Sequence, residues 1–275
     1  MNYRHAYHAG NFADVMKHAL LLALIRHLQR KSTGFYVLDT HAGCGAYDLA
    51  GLEANKTQEW RDGIGRLLDD PPEALKDYLT IIRDLGAPGR YPGSPLIVAS
   101  QLRAQDQLVC CELHPEDVRI LRRLFRDNAQ VSVHHRDAYA ALRALLPPKE
   151  QKRGLVLIDP PFEQPDEFAH LAQAIVESRR RFTTGMVAAW YPIKHRTPVR
   201  AFHNQLRDSG LRALLACEFT LRPPLDPGQL NGCGLLIAAP PYGFEKQAEE
   251  LLGAMRPALD RDGAAETHVS WLVEE

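Results

Sequence analysis

Gly154-Leu155-Val156-Leu157-Ile158-Asp159-Pro160-Pro161-Phe162 is the stretch on which the reading of this chain turns. Residues 155–158 are apolar with no polar alternation, the pattern of a strand covered on both faces in a parallel sheet. Such a strand ends at the carboxyl edge of the sheet, where open α/β sheets hold their ligands, so Asp159 is delivered to a binding crevice. The two prolines fix φ and have no N–H to donate, which leaves a rigid turn rich in acceptors: the Asp159 carboxylate and backbone carbonyls, that of Pro160 among them. A planar ring bearing an exocyclic amino group matches this set, with its two N–H hydrogens on the acceptors and its face against Phe162. The bland alternative is a strand-ending turn whose aspartate caps the next helix.

Pro-Pro alone discriminates little, since it recurs at 71–72, 147–148, 223–224 and 240–241. The stretch Ala239-Pro240-Pro241-Tyr242 also follows an apolar run and precedes an aromatic, but alanine stands where the acceptor should be. Acceptor and aromatic coincide only at 159–162.

A chain of 275 residues, 45% hydrophobic, can bury the core of one large domain, or of a domain with an insertion. Its longest apolar runs, such as 19–25, are far shorter than the roughly 20 residues of a membrane span. The first residues lack the apolar centre of a signal peptide. Five cysteines (44, 110, 111, 217, 233) show no C-x-x-C spacing, so neither zinc nor a disulfide framework is expected, and the expected compartment is the reducing cytoplasm. The net charge of −1 does not announce a nucleic-acid binder. Arginines nonetheless cluster at 119, 122, 123 and 126, at 179–181, and between 194 and 200 with lysine and histidine, either as solvated helix faces or as a basic surface.

Along the chain, Asn11 caps an expected helix to about residue 29, with Asp14, Lys17 and His18 on the polar flank of its first turns. The preceding residues 1–10 carry Tyr3, Arg4, His5, Tyr7 and His8, either a frayed terminus or a tail that touches substrate. Phe35-Tyr36-Val37-Leu38-Asp39 reads as the first strand and runs into Thr40-His41-Ala42-Gly43-Cys44-Gly45, where glycine lets backbone approach a nucleotide-like ligand. Two apolar helical stripes, at 60–68 and 75–85, then suggest a helical hairpin inserted over 46–93, with Pro71-Pro72 between them. Ser94-Pro95 restarts the core as N-cap and first helical residue. Strands follow at 108–111, ending in Glu112, and at 131–134, ending in Arg136-Asp137-Ala138. Counted without the insertion, Glu112 falls where a nucleotide fold places the acid that binds ribose hydroxyls. Asp137 either accepts from an adenine amino group or caps the next helix. Further strands fall at 186–190, 214–221, 235–239 and 269–273. The alternation gives an α/β fold with a mainly parallel sheet.

Among nucleotide-like ligands, a dinucleotide needs glycines that cradle pyrophosphate at a helix N-terminus, and here the insertion interrupts that helix. S-adenosylmethionine has no phosphate. Its sulfonium, ammonium and ribose suit carboxylates at strand ends.

Asp159-Pro160-Pro161-Phe162 resembles the motif of methyltransferases acting on adenine N6, and 39–45 resembles their cofactor loop. Together with Tyr3-Arg4-His5, His8-Ala9-Gly10-Asn11, Ala13-Asp14-Val15, Lys17-His18, Tyr91-Pro92-Gly93-Ser94-Pro95-Leu96, Glu112-Leu113-His114-Pro115 and Trp190-Tyr191-Pro192, they make the chain similar to the RlmJ family over nearly its whole length. Members of that family methylate an adenine N6 in 23S ribosomal RNA. The resemblance implies a Rossmann-like class I methyltransferase with a mainly parallel seven-stranded sheet: a core of residues 1–45 and 94–275, and an inserted helical subdomain, 46–93. It implies that His18, His41, Gly43, Ser94, Glu112, Asp137, Ala138 and Asp159 bind S-adenosylmethionine, that Asp159, Pro160 and Phe162 serve catalysis, and that Tyr3, Arg4 and Phe162 meet the RNA. The expected partner is 23S ribosomal RNA, free of protein or early in assembly, with no membrane, no metal and a monomeric enzyme. Two positions depart from the family pattern: Ala138 stands where glycine is expected, and Phe162 replaces tyrosine, which keeps stacking and loses a hydroxyl. The competing readings are the same chemistry on DNA adenine, a non-catalytic RNA- or cofactor-binding module, and transfer to a protein glutamine amide, which usually shows asparagine at the position of Asp159.

Overall fold

The computed structural model describes residues 4–274. In chain order the strands are β1 (Tyr36–Asp39), β2 (Ala46–Asp48), β3 (Arg90–Pro92), β4 (Gln107–Glu112), β5 (Val131–His135), β6 (Gly154–Ile158), β7 (Gly185–Ile193), β8 (Leu214–Thr220), β9 (Gly232–Ala238) and β10 (Glu266–Val273). The helices are α1 (Phe12–Gln29), α2 (Leu52–Thr57), α3 (Arg66–Asp69), α4 (Lys76–Asp84), α5 (Ser94–Ala99), α6 (Pro115–Leu124), α7 (Ala138–Leu145), α8 (Glu167–Arg181), α9 (Arg196–Arg207) and α10 (Phe244–Leu259).

Every residue of β6 is buried. Alternate side chains explain why: Leu155 and Leu157 join the core beneath α1, α5 and α10, while Val156 and Ile158 join the core beneath α7, α8 and α9. The main sheet has the order β10-β8-β9-β7-β6-β1-β4-β5. Strands β5, β4, β1, β6 and β7 are mutually parallel. Strand β9 runs antiparallel to both β7 and β8, and β10 antiparallel to β8. Helices on both faces and this strand order make a Rossmann-like class I methyltransferase fold. The sheet has eight strands where seven were expected. The last of them, β10, expected at 269–273, packs Val269 and Trp271 toward one core and Leu272 and Val273 toward the other, and it covers the β8 edge that would otherwise be open.

Helix α1 starts as its sequence requires, with the Asn11 side chain accepting from the Ala13 and Asp14 amides. The loop after β1 runs into β2, which pairs with β3 in a two-stranded ribbon, and α2, α3 and α4 lie between these two strands. The two expected helical stripes take a more broken form. Within Arg61–Gly65 the chain kinks at Gly63 (φ −107°, ψ −109°), where a Cβ would lie 2.2 Å from the Gly10 carbonyl oxygen. Ile64 N–H donates to that same carbonyl at 2.8 Å. Backbone contact at this point needs a residue without a side chain. At the restart of the core the cap is Gly93 rather than Ser94, because the Ser94 hydroxyl donates to Asp39 instead.

Candidate active site

Five parallel strands bring their carboxyl ends to one edge, and there the chain encloses a cavity of about 440 Å³. His18, His41, Gly43, Ser94 and Glu112 line one part of it, and Asp159, Pro160, Phe162, Trp190 and Lys194 line the other. Gly43 takes φ +60°, and a Cβ there would lie 2.3 Å from the Tyr47 hydroxyl, so the turn and the close packing both require glycine. Asp137 and Ala138 lie outside the lining. Asp137 is the N-cap of α7 and accepts from Ala140 N–H at 2.9 Å, which is one of the two roles its sequence left open. Arg4 reaches across to α6 and donates to Glu116 at 2.6 Å. Tyr3 lies outside the described residues.

The largest electrostatic feature of the site is a contact the sequence does not announce. Lys17, buried on α1, donates to Asp159 Oδ2 at 2.5 Å and reaches Asp14 Oδ1 at 2.9 Å. Burial opposes the ammonium, but Asp14 and then Asp159 outweigh it and hold Lys17 above the ordinary lysine value. Asp14 is also buried, yet the surrounding His5, Lys17 and His18 keep it well below the usual carboxylate range. It accepts from His5 Nε2 at 2.8 Å and from Gly10 N–H at 2.9 Å. The Asp159 carboxylate is therefore held through one oxygen, and among the described residues Oδ1 makes no hydrogen bond. The signal available in sequence was Asp14, Lys17 and His18 at i, i+3 and i+4 on a helix otherwise almost wholly apolar.

His18 accepts or donates at 2.8 Å to the Tyr91 hydroxyl, which in turn meets Tyr78 at 3.0 Å. Burial first, and the Lys17 charge after it, push its pKa down to about 3, so it lines the cavity as a neutral ring. His41 is likewise lowered to about 4 by burial, and its Nδ1 lies 3.3 Å from Asp159 N, with Thr40 Oγ1 at 2.9 Å. Asp39, fully buried at the end of β1, is pushed up to about 7 by burial and the nearby Asp159, against the lowering effect of the Ser94 hydroxyl at 2.6 Å. Glu112 accepts from Gly43 N–H at 2.8 Å and from the Leu113 and His114 amides at 2.7 Å each, tying β4 to the loop after β1.

Phe162 sits in the left-handed region at φ +51°, unusual for an aromatic and maintained by packing on Phe168 (4.8 Å between ring centroids) and Trp190 (6.0 Å). The Asp159 carboxylate, the proline turn and the Phe162 side chain thus line one cavity.

Residues 32–273 match the family model described as ribosomal RNA large subunit methyltransferase D, RlmJ. This chain belongs to the RlmJ family. Ribosomal RNA large subunit methyltransferase J of Haemophilus influenzae is 40% identical, and its Escherichia coli counterpart 37% identical, each over the full length of both chains. A crystal structure of a Legionella pneumophila protein is 35% identical and superposes with a TM-score of 0.87, over 96% of this chain and 98% of that one. Membership fixes the chemistry as methyl transfer. Among the described residues of this RlmJ-family chain, no helix is long and apolar enough to cross a membrane.

Proposed function

We propose that this protein transfers a methyl group from S-adenosylmethionine to the exocyclic N6 of an adenine in 23S ribosomal RNA. The observation that carries this reading is the turn at 159–162: Asp159, Pro160 and Phe162 together line the cavity, with Asp159 Oδ1 unspent. The names of the full-length relatives support ribosomal RNA as the substrate class.

The residues on the other side of the cavity suit the donor. Glu112 and Asp117 face it with carboxylates, which disfavour a phosphate and favour a cationic, phosphate-free nucleoside. Glu112 would take the ribose hydroxyls, the Gly43 turn would admit close backbone approach, and His18, His41 and Ser94 would close the remaining contacts, with Asp137 and Ala138 reaching it only from outside the present lining. When bound, the donor supplies an electrophilic methyl group on a sulfonium.

Adenine N6 is a poor nucleophile because its lone pair is delocalised into the ring. Asp159 Oδ1 and the Pro160 carbonyl would accept its two hydrogens and hold the nitrogen pyramidal, and Phe162 would stack on the ring. Lys17 fixes the carboxylate in that orientation. Once N6 carries the methyl group it is a cation, and Asp159 Oδ1 receives the proton that leaves. A paired adenine cannot reach this cleft, so the base enters flipped out or from an unpaired segment.

The test is transfer of label from S-adenosylmethionine to 23S RNA taken from cells lacking the homologous enzyme, run beside Asp159→Ala. Label recovered as N6-methyladenine with wild type only is the expected result. Transfer to DNA instead, or cofactor binding without transfer to any nucleic acid, would overturn it.

A further inference from the structure

The segment between β8 and β9, residues 221–231, lines both the catalytic cavity and a second one of about 310 Å³. Leu230, Asn11 and Glu59 line both, so the two open on a common rim. The second cavity lies at the small end of the roughly 300–1,000 Å³ that ligand sites span. Its apolar floor comes from Phe12, Leu221, Leu230 and Leu259, and its walls mix Arg222, Arg261 and Gln229 with the carboxylates of Glu59, Asp62 and Asp262.

We propose that this second cavity receives a nucleobase flanking the methylated adenine, read by Gln229, with Arg222 on the adjoining phosphate. The inference rests on the RNA reading of the catalytic site and adds a sequence-determining subsite to it. Three features carry it.

First, the wall is built rather than loose. The fully buried Asn231 donates through Nδ2 to the Lys194 carbonyl at 2.8 Å and to the Asp226 carbonyl at 2.7 Å. Asp226 accepts from Gly228 N–H and from Gln229 Nε2, both at 2.8 Å, and Pro223, Pro224 and Pro227 stiffen the rest.

Second, Gln229 is oriented without being exhausted. Its Oε1 accepts from Arg222 Nη1 at 2.5 Å, which leaves one lone pair, and its Nε2 spends one of two hydrogens on Asp226. An amide held in this way keeps one donor and one acceptor unused, the two groups that read a base edge.

Third, an apolar floor under that amide suits a planar ring, and the shared rim lets one RNA strand place two adjacent bases in the two cavities. Arg222 adds a cation where the strand's phosphates would pass. A membrane or a protein segment would find no open apolar face here, since the floor is walled by charged groups, including the Arg261–Asp62 pair at 2.8 Å.

The experiment compares kcat/KM on short RNAs carrying each of the four bases in turn at the positions immediately before and after the target adenine, with wild type, Gln229→Ala and Arg222→Ala. Both side chains are exposed, so the variants keep the fold. Wild type is expected to prefer one base by about tenfold at one flanking position, and Gln229→Ala to reduce that preference to about twofold. Arg222→Ala is expected to raise KM severalfold for every RNA with kcat held. Equal discrimination by wild type and Gln229→Ala at both positions would overturn the subsite while leaving the proposed function standing. A wild-type enzyme that methylates none of these RNAs nor 23S RNA would remove both.

Discussion

Two Pro-Pro-aromatic turns occur in this chain after buried strands, and only one lines the candidate active-site cavity. The turn 159–162 follows β6, which is parallel to its neighbours and so ends at the ligand-binding edge. The turn 239–242 follows β9, which is antiparallel to β7 and pairs its last residue, Ala238, with Val187 near the start of β7. The same local sequence is therefore carried to the opposite edge. Phe162 is packed on Phe168 and Trp190, whereas Tyr242 is 97% exposed. What distinguishes a site from a turn is strand direction and the acceptor, and neither belongs to the prolines.

The largest expected effect tests the acceptor. Asp159→Ala should lower the rate of methyl transfer roughly a thousandfold with cofactor binding retained, and adding Ala239→Asp should restore nothing. Ala239 already adopts φ +55°, a conformation aspartate tolerates, so the transplanted carboxylate would be present at the wrong edge. Recovery of activity in that double variant would break the comparison. Next comes Lys17→Met, which strands two carboxylates in a buried setting. A loss of about 3 kcal/mol in urea unfolding is expected, together with a rate lowered about a hundredfold.

Asp39 sharpens the contrast through pH. Its proton is held more tightly in the folded chain, with a pKa of about 7 against an ordinary 3.8. The stability tied to the protonated form is complete below about pH 4 and is lost as pH rises through 7. Asp39→Asn should remove about 2 kcal/mol of the stability difference between pH 5 and pH 8, measured by urea unfolding at both. Smaller still, Phe162→Ala should cost about tenfold in kcat/KM and Phe162→Tyr little, as a stacking face predicts. The corresponding Tyr242→Ala should change the rate less than about twofold, within the small effect of a surface substitution.

The sequence shows the frame of this site more readily than its charges. Four consecutive apolar residues ahead of Asp159, and acids ending β1, β4 and β6, are local patterns, and a parallel sheet brings them to one edge without further information. The Lys17–Asp159 contact spans 142 residues of sequence, and nothing at either position names the other. Asp137 illustrates a different limit, because a strand-end aspartate that caps a helix and one that binds a ligand share the same neighbours. Each of the eight sheet strands is legible as an apolar segment, the last of them over 269–273. The last, β10, has half-exposed residues on both faces, a pattern that fixes neither its pairing nor its place at the edge.

The interval between Lys17 and Asp159 also has a consequence in time. A ribosome making this protein releases α1 with Lys17 paired to Asp14 alone, and its second carboxylate, Asp159, arrives only after more than half of the chain has followed. Strand β1, synthesised early, must wait for both β4 and β6 before its two edges are paired. The candidate site is thus assembled late in translation, and β10, which covers the edge of β8, is completed only at residue 273.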